Sequence, residues 1–230
     1  FISYSTNQTG HVLHRVNSDG SADTTFTSFA PGTGYDTLVQ PDGKIVVGTV
    51  GTGLRRLNAD GSLDNAFAPV LSRFDGRVPV IFGLFASRNG KVIVTGYFQT
   101  VNGINRCCFA RLNGDGSLDS SFNPPSMLAD WDSGSFYFGQ IVEQPDGRLI
   151  LSQIDLMRLN ADGSVDSTFA AAVHDFRRRC DGLGSISRLA LTASGQILGT
   201  GGFDRVDGFP RLGLVRLLDT APQMDFRVMT

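Results

Sequence analysis

Apolar and polar positions alternate along this chain in short runs, and turn-forming residues interrupt every run. Phe1-Ile2-Ser3-Tyr4-Ser5 reads as one strand and His11-Val12-Leu13-His14-Arg15-Val16 as a second. Asn17-Ser18-Asp19-Gly20 then turns the chain, because Gly takes positive φ easily and Asp bonds back to its own backbone. Residues 35–40 predict a strand, Pro41-Asp42-Gly43 a turn, and the β-branched run 44–48 a strand with little room for anything else. Residues 54–58 form the next strand, and the Asp60-Gly61 hairpin leads to a tail strand ending at Phe67. No segment shows a helical period of useful length.

This pattern is a repeat. The phrase Arg56-Leu57-Asn58-Ala59-Asp60-Gly61-Ser62-Leu63-Asp64-Asn65-Ala66-Phe67 recurs at 15–26, 111–122 and 158–169, with Arg and Phe eleven positions apart each time. A decayed fifth copy runs from Arg216 to Phe226, where Asp-Gly-Ser has become Thr-Ala-Pro. A second phrase falls between the copies: Gln-Pro-Asp-Gly-Lys at 40–44, Ser-Arg-Asn-Gly-Lys at 87–91, Gln-Pro-Asp-Gly-Arg at 144–148 and Thr-Ala-Ser-Gly-Gln at 192–196. The Asp-Gly-Ser copies are spaced by 41, 55 and 47 residues.

Four short antiparallel strands at such spacing are the signature of a β-propeller blade. One blade cannot bury both faces, so neighbouring blades must stack. The expected fold is all-β, a single propeller domain over residues 1–230 with four-stranded blades. The units are 27–67, 68–122, 123–169, 170–226, and a first blade made of 1–26 with 227–230. The chain opens on an apparent second strand and ends where the first strand of a next blade belongs. Closure by both termini into five blades is therefore expected; the competing account is a fragment of a longer ring, such as a seven-bladed one.

Composition narrows the partners. With 20 Lys and Arg against 22 Asp and Glu, net charge −2, the chain offers no field for nucleic acid or an anionic membrane. No apolar run approaches the roughly 20 residues that span a bilayer, so no membrane insertion is expected. Neither an initiator Met nor a signal-like segment precedes Phe1, so any targeting peptide is expected to have been removed or left out. Three cysteines are no disulfide scaffold. They are either small buried side chains or include one bridge from Cys107 or Cys108 to Cys180, with Cys108–Cys180 the expected pair in that case.

The two phrases closely resemble the bacterial delta-60 repeat family, through residues 40–48, 98–103 and 111–122. That resemblance covers nearly the whole chain. It implies a β-propeller from a secreted or cell-surface bacterial protein, with no established catalytic residues. Residues 49–53 and 152–156 lack the family's Phe and Asn-Gly loop, and the lost turn in the last copy implies a terminal blade.

The recurring residues read first as structure. Arg15, Arg56, Arg111, Arg158 and Arg216 share one strand position, and Asp23, Asp64, Asp119 and Asp166 follow eight residues later. An Arg fork binds a carboxylate or strand-end carbonyls through two bonds, which would pin each tail. Phe26, Phe67, Phe122, Phe169 and Phe226 read as packing between blades. Asn58-x-Asp60-Gly61-x-x-Asp64 has a faint calcium-loop character without the length or closing Glu of such a site. A hairpin satisfied by its own Asn and Asp accounts for the same letters, so no cofactor is expected, with weak calcium binding the alternative. Asn7-Gln8-Thr9 is a formal glycosylation sequon.

In a meander blade, the leading loop and the loop between strands two and three emerge on one side, opposite the regular turns. Binding residues favour irregular loops on a rigid scaffold. The candidate ligand surface is Arg73, Phe74, Asp75, Arg77, Phe98, Asn102, Asp130, Trp131, Asp132, Tyr137, His174, Arg177, Arg178, Arg179, Asp204 and Phe209. Trp131 between two carboxylates either stacks on a sugar face or lids its own loop. Arg177 to Arg179 either grip a carboxylate or phosphate or are simply solvated. The serine-hydrolase, zinc-protease and phosphate-loop motifs are all missing. The expectation is a non-catalytic module that binds a polysaccharide or a surface protein. A purely structural spacer and a polysaccharide-active hydrolase or lyase are the alternatives.

Overall fold

The computed structural model describes residues 2–7, 10–26, 34–49, 53–125, 140–152, 156–169, 173–174, 185–206 and 209–217. Apart from one 3-10 turn at Arg88–Gly90, every regular element among them is a strand. The chain divides into two compact units, Phe1–Phe122 with Ser126–Phe136, and Tyr137–Thr230 with Asn123–Pro125.

The first unit holds β1 (Ile2–Asn7), β2 (Gly10–Arg15), β3 (Gly34–Val39), β4 (Ile45–Thr49), β5 (Leu54–Leu57), β6 (Leu71–Ser72), β7 (Val80–Ala86), β8 (Val92–Tyr97), β9 (Thr100–Val101), β10 (Ile104–Asn105) and β11 (Phe109–Leu112). Its sheets are β1-β2, β3-β4-β5, β7-β8-β11 and a small one, β6-β9-β10. The second unit holds β12 (Gln140–Glu143), β13 (Leu149–Ser152), β14 (Leu156–Leu159), β15 (Val173–His174), β16 (Ser185–Leu191), β17 (Ile197–Gly202), β18 (Arg205–Val206), β19 (Phe209–Pro210) and β20 (Leu214–Leu217). Its sheets are β12-β13-β14, β16-β17-β20 and, again small, β15-β18-β19. All pairings are antiparallel, and the larger sheets are meanders, whereas each small sheet pairs a leading loop with a later hairpin. The repeated Arg always faces the same place on the middle strand: Arg56 opposite Val46, Arg111 opposite Ile93, Arg158 opposite Ile150 and Arg216 opposite Leu198.

The expected fourth strand is reduced to one bridge per copy: Val16 with Ala22, Leu57 with Leu63, Leu112 with Leu118 and Leu159 with Val165. Local hydrogen bonding explains why. Asp64 N–H donates to Arg56 O at 2.9 Å, and then Phe67 N–H turns back to Asp64 O at 3.2 Å. That second turn takes the chain off the sheet before a ladder can form. Among the described residues, the β3-β4-β5, β7-β8-β11 and β12-β13-β14 sheets are thus three-stranded meanders with a bridged tail. Residues 227–230, expected to close the first blade, lie outside the described residues.

Cores form between successive sheets. In β4 the side chains alternate between two of them: Ile45 and Val47 pack with Leu13, Phe26 and Leu57 toward the β1-β2 sheet. Val46 packs with Leu54, Phe67, Ile81 and Leu84 toward the β7-β8-β11 sheet. A strand buried on both faces is why the sequence reads as an unbroken apolar run rather than an alternation. The second unit repeats the arrangement, with Ile150 from one sheet against Ile186, Leu189, Ile197 and Val215 from the next.

Candidate functional site

Two constructions recur, one at each end of the sheets. The first is built on the repeated Arg. Arg56 Nε donates to Asp64 Oδ2 at 2.8 Å, and its guanidinium carbon lies 4.5 Å from the centre of the Phe67 ring. The same contacts join Arg15 to Asp23 and Phe26, Arg111 to Asp119 and Phe122, and Arg158 to Asp166 and Phe169. A cation over an aromatic face, out of water, adds to the ion pair. The Arg also reaches forward into the next repeat. Arg15 donates to Ala59 O and Arg56 to Gly114 O, both within the following Asn-x-Asp-Gly turn. Arg15 and Arg56 therefore each tie their own tail and the neighbouring turn together. Arg216 differs: it is exposed. The sequence supplies Met224 where the other copies place their Asp. Phe226 lies outside the described residues.

Asp64, Asp119 and Asp166 each have a further cation that sequence spacing did not reveal. Lys44 Nζ donates to Asp64 Oδ2 at 2.9 Å and Lys91 Nζ to Asp119 Oδ2 at 2.8 Å, while Arg148 Nη1 lies 3.7 Å from Asp166 Oδ2. These are the basic residues that close the second phrase. One signal was present: position 196, in the copy that lost its Asp, is Gln. The second carboxylate oxygen of each Asp caps the chain, as when Asp166 Oδ1 accepts both the hydroxyl and the N–H of Thr168. These bonds hold the Asp23 and Asp166 carboxyls down to about 2, with the hydroxyls of Thr25 and Thr168 the main causes. At Asp119 burial works the other way, but Lys91, Ser121 and Arg111 outweigh it and the carboxyl is lowered.

The Asn-x-Asp-Gly-Ser turns use their polar atoms internally. Asp60 Oδ1 accepts the Ser62 N–H at 2.9 Å and its hydroxyl at 2.7 Å, and Asn58 Nδ2 donates to Ser62 Oγ at 2.9 Å. The other three copies match. Among the described residues, no group of three or more His, Cys, Asp or Glu is placed to hold a metal ion.

The second construction lies at the opposite end of the sheets. In the first unit the leading loop and the strand-two-to-three loop pair as β6-β9-β10, with Leu71 opposite Val101 and Ile104 also opposite Val101. In the second unit Val173 and Phe209 flank Val206 in the same way. The long loops are thus small sheets, and within each unit they meet on one side. Asn102 holds the first together: its N–H donates to Val70 O at 2.7 Å and its Oδ1 accepts Val70 N–H at 2.8 Å.

The β6 strand delivers a tight turn. Arg73 donates from Nε and Nη2 to the two oxygens of Asp75, whose carboxyl it holds below the usual range. Asp75 Oδ1 also accepts Arg77 N–H at 3.0 Å, and Gln99 Oε1 accepts Phe74 N–H at 3.0 Å. Arg73 lies 5.8 Å from the centre of the Tyr97 ring, which meets Phe82 edge to face at 4.7 Å. Arg73 is therefore turned inward, its side chain 12% exposed, whereas the Arg77 side chain is 79% exposed. Phe74 is 73% exposed.

The other sequence candidates fall as follows. Phe98, expected on the surface, is fully buried in the core, because the β9-β10 hairpin folds back over it. His174 sits in β15 opposite Arg205, and Asp204 O accepts Arg211 N–H just before β18. Phe209 is exposed. Asp130, Trp131, Asp132, Tyr137, Arg177, Arg178 and Arg179 lie outside the described residues. Cys107 and Cys108 are free thiols, and Cys180, the expected bridging partner, also lies outside them. Sequence reasoning passed over Gln99, whose role depends on a pairing between two loops.

Residues 40–67, 88–122 and 144–169 match the profile of a beta-propeller domain of unknown function, DUF5122. No curated protein matches the chain by sequence. Among solved structures it is similar to virginiamycin B lyase from Staphylococcus aureus, with a TM-score of 0.56 and 14% identity over 100% of this chain and 69% of that one. It is similar to a protein of unknown function from Bacteroides caccae, with a TM-score of 0.54 and 12% identity over 96% and 69%. It is also similar to the extracellular domain of a putative hybrid two component system from B. thetaiotaomicron, with a TM-score of 0.53 and 16% identity. That likeness covers 94% of this chain and 26% of the other, so the chain spans about a quarter of that relative. At these identities the likeness concerns the fold. With the profile match, it supports a β-propeller family. Among the described residues no helix is long and apolar enough to cross a membrane.

Proposed function

We propose that this chain is a non-catalytic binding module of a secreted or surface protein, recognising a polysaccharide or a surface protein through its loop sheets. The observation that carries the reading is the Arg73–Arg77 turn. Its shape is set by the Arg73–Asp75 pair and by Gln99, yet Phe74 and Arg77 project into solvent. An exposed aromatic ring on a pre-formed turn stacks on a sugar face, or anchors in a protein pocket, with little ordering cost. The second unit exposes Phe209 from the matching hairpin. The sequence adds Asp130, Trp131, Asp132 and Tyr137, with His174, Arg177, Arg178, Arg179 and Asp204, as polar and aromatic partners. The similarity to an extracellular domain supports a surface location.

A glycan array, run beside binding to a bacterial surface-protein extract, tests this. Saturable binding is expected, weakened at least about tenfold in Phe74→Ala and in Trp131→Ala, since one buried aromatic anchor is worth about 1.5 kcal/mol or more. Phe74→Ala should melt like the wild-type protein. If the wild-type chain binds nothing on either surface, the spacer reading replaces this one. If it releases new chain ends from a polysaccharide, and Asp130→Asn or Asp132→Asn abolishes that release, the reading fails in favour of an enzyme.

A further inference from the structure

Cys108 occupies a backbone conformation that matching repeats give to glycine. Its φ is +65°, beside +71° at Gly53 and +67° at Gly213. All three directly precede the third strand of their meander, at Leu54, Phe109 and Leu214. The hydrogen bonds match too. Cys108 N–H donates to Phe98 O at 2.9 Å and its carbonyl accepts Gly96 N–H at 3.1 Å; Gly213 makes the same bonds with Phe203 and Gly201 at 2.9 and 3.1 Å. A Cβ is disfavoured at this φ, and a side chain kept there against that cost points to a use for it.

The side chain is buried against a second thiol. Cys107 Sγ and Cys108 Sγ are 3.2 Å apart and both are free. Cys108 is 2% exposed, and burial together with Cys107 pushes its thiol up to about 12. Cys107 is only half-buried and is the sulfur that a reagent meets first. The second unit has Leu212-Gly213 at these positions, so the thiol pair is not a requirement of the loop.

We infer that Cys107 and Cys108 form a redox modification site, a dithiol that an organic disulfide oxidises to a vicinal disulfide. The Cys107 thiolate attacks one sulfur of the reagent. A mixed disulfide forms and the reagent's other half leaves as a thiolate, which takes up a proton. The Cys108 thiol then gives its proton to solvent and attacks Cys107 Sγ. The new bond closes between the two cysteines and the second half of the reagent leaves as a thiol. The protein loses two electrons and two protons, and the reagent's disulfide becomes two thiols. The contact has to shorten to a bond of about 2.05 Å. Adjacent Cα atoms stand only about 3.8 Å apart, short of the roughly 4.4–6.8 Å that relaxed bridges span. The bridge is therefore strained and readily reduced, which suits a reversible site. Cys108 N–H closes the base of the β9-β10 hairpin through Phe98 O, so closure of the ring acts on that hairpin first. The inference stands on this geometry and is independent of any ligand at the loops.

The test is the full chain carrying Cys180→Ser, equilibrated in glutathione buffers from fully reduced to fully oxidised. The expected result is loss of two hydrogens by intact mass. Cys107 and Cys108 should be protected from alkylation together, and reduction should restore both. Cys108→Gly suits the backbone and leaves Cys107 alone; it is expected to stop at one glutathione adduct. Cys107→Ser is expected to leave Cys108 unmodified in the folded protein. The inference is overturned if both thiols remain alkylatable in every buffer, or if each carries its own adduct. A peptide linking Cys108 to Cys180 from the unmutated chain overturns it as well.

Discussion

Arg111 donates from Nε to Asp119 Oδ2 at 2.6 Å, with both side chains less than a tenth exposed. The same guanidinium lies over the Phe122 ring at 4.4 Å. Removing Arg111 leaves the nearly buried Asp119 carboxylate with Lys91 as its remaining cation, an incomplete compensation away from water. Arg111→Ala is expected to lower stability by about 3 kcal/mol, read from urea unfolding. Arg111→Lys should recover less than half, because an ammonium carries neither the planar fork nor the flat face that stacks on Phe122.

Acid should weaken the fold within a defined window. Asp23 and Asp166 are held to about 2 by the Thr25 and Thr168 hydroxyls first, with help from Arg15 and Arg158. Unfolded, such a carboxyl titrates near about 3.9. The native state thus binds fewer protons than the unfolded one, and the stabilisation is present above that value and lost as pH falls toward 2. Melting temperature should be nearly level above pH 5 and drop steeply below pH 4. Asp166→Asn should melt lower at neutral pH and show a shallower acid slope.

Gly96 and Gly90 should answer the same substitution differently. A Cβ on Gly96 would stand 2.1 Å from Val80 O and 2.9 Å from Ile81 Cα, both backbone atoms of the paired strand. Neither can move without breaking the β7-β8 ladder. Gly96→Ala is expected to cost more than about 3 kcal/mol or to abolish soluble expression. Gly90, at φ +70°, has open space around the added carbon. Gly90→Ala should cost only the left-handed strain, about 1 kcal/mol. Parallel thermal melts separate the two.

Asn102 should control the loop sheet without controlling the fold. It takes φ +51°, which Asn tolerates, and bonds Val70 through both backbone and side chain. Asn102→Gly keeps the backbone and removes one bond, at about 1 kcal/mol. Hydrogen exchange should quicken at Val70 and at Gln99, whose N–H donates to Ser72 O, while the β4 and β8 amides stay protected.

What the sequence discloses is what short range determines. The run at Ile45–Thr49 reads as a buried strand because its residues have few other options. The Arg, Asp and Phe of each copy read as a unit because one tight turn fixes their spacing. The second cation on Asp64, Asp119 and Asp166 needs the register between two strands, so Lys44 and Asp64 look unrelated at twenty positions apart. The small sheets rest on two-residue strands that carry no period at all, as at Leu71–Ser72. Phe98 looks like a surface aromatic until the hairpin that follows it closes. Cys108 was legible in principle: setting residues 98–109 beside 203–214 brings it over Gly213. The segments with Trp131 and Arg177 offer neither repeat nor period, and remain readings of residue type alone.

The bond from Arg15 to Ala59, repeated from Arg56 to Gly114, gives the array a direction. In both, the donor sits in the earlier copy and the acceptor in the later one. A duplicated copy arrives with one of each and fits between its neighbours with both seams already matched. Such chains can lengthen or shorten by whole copies over evolutionary time, leaving the surface loops free to diverge while joints of this kind keep the same chemistry.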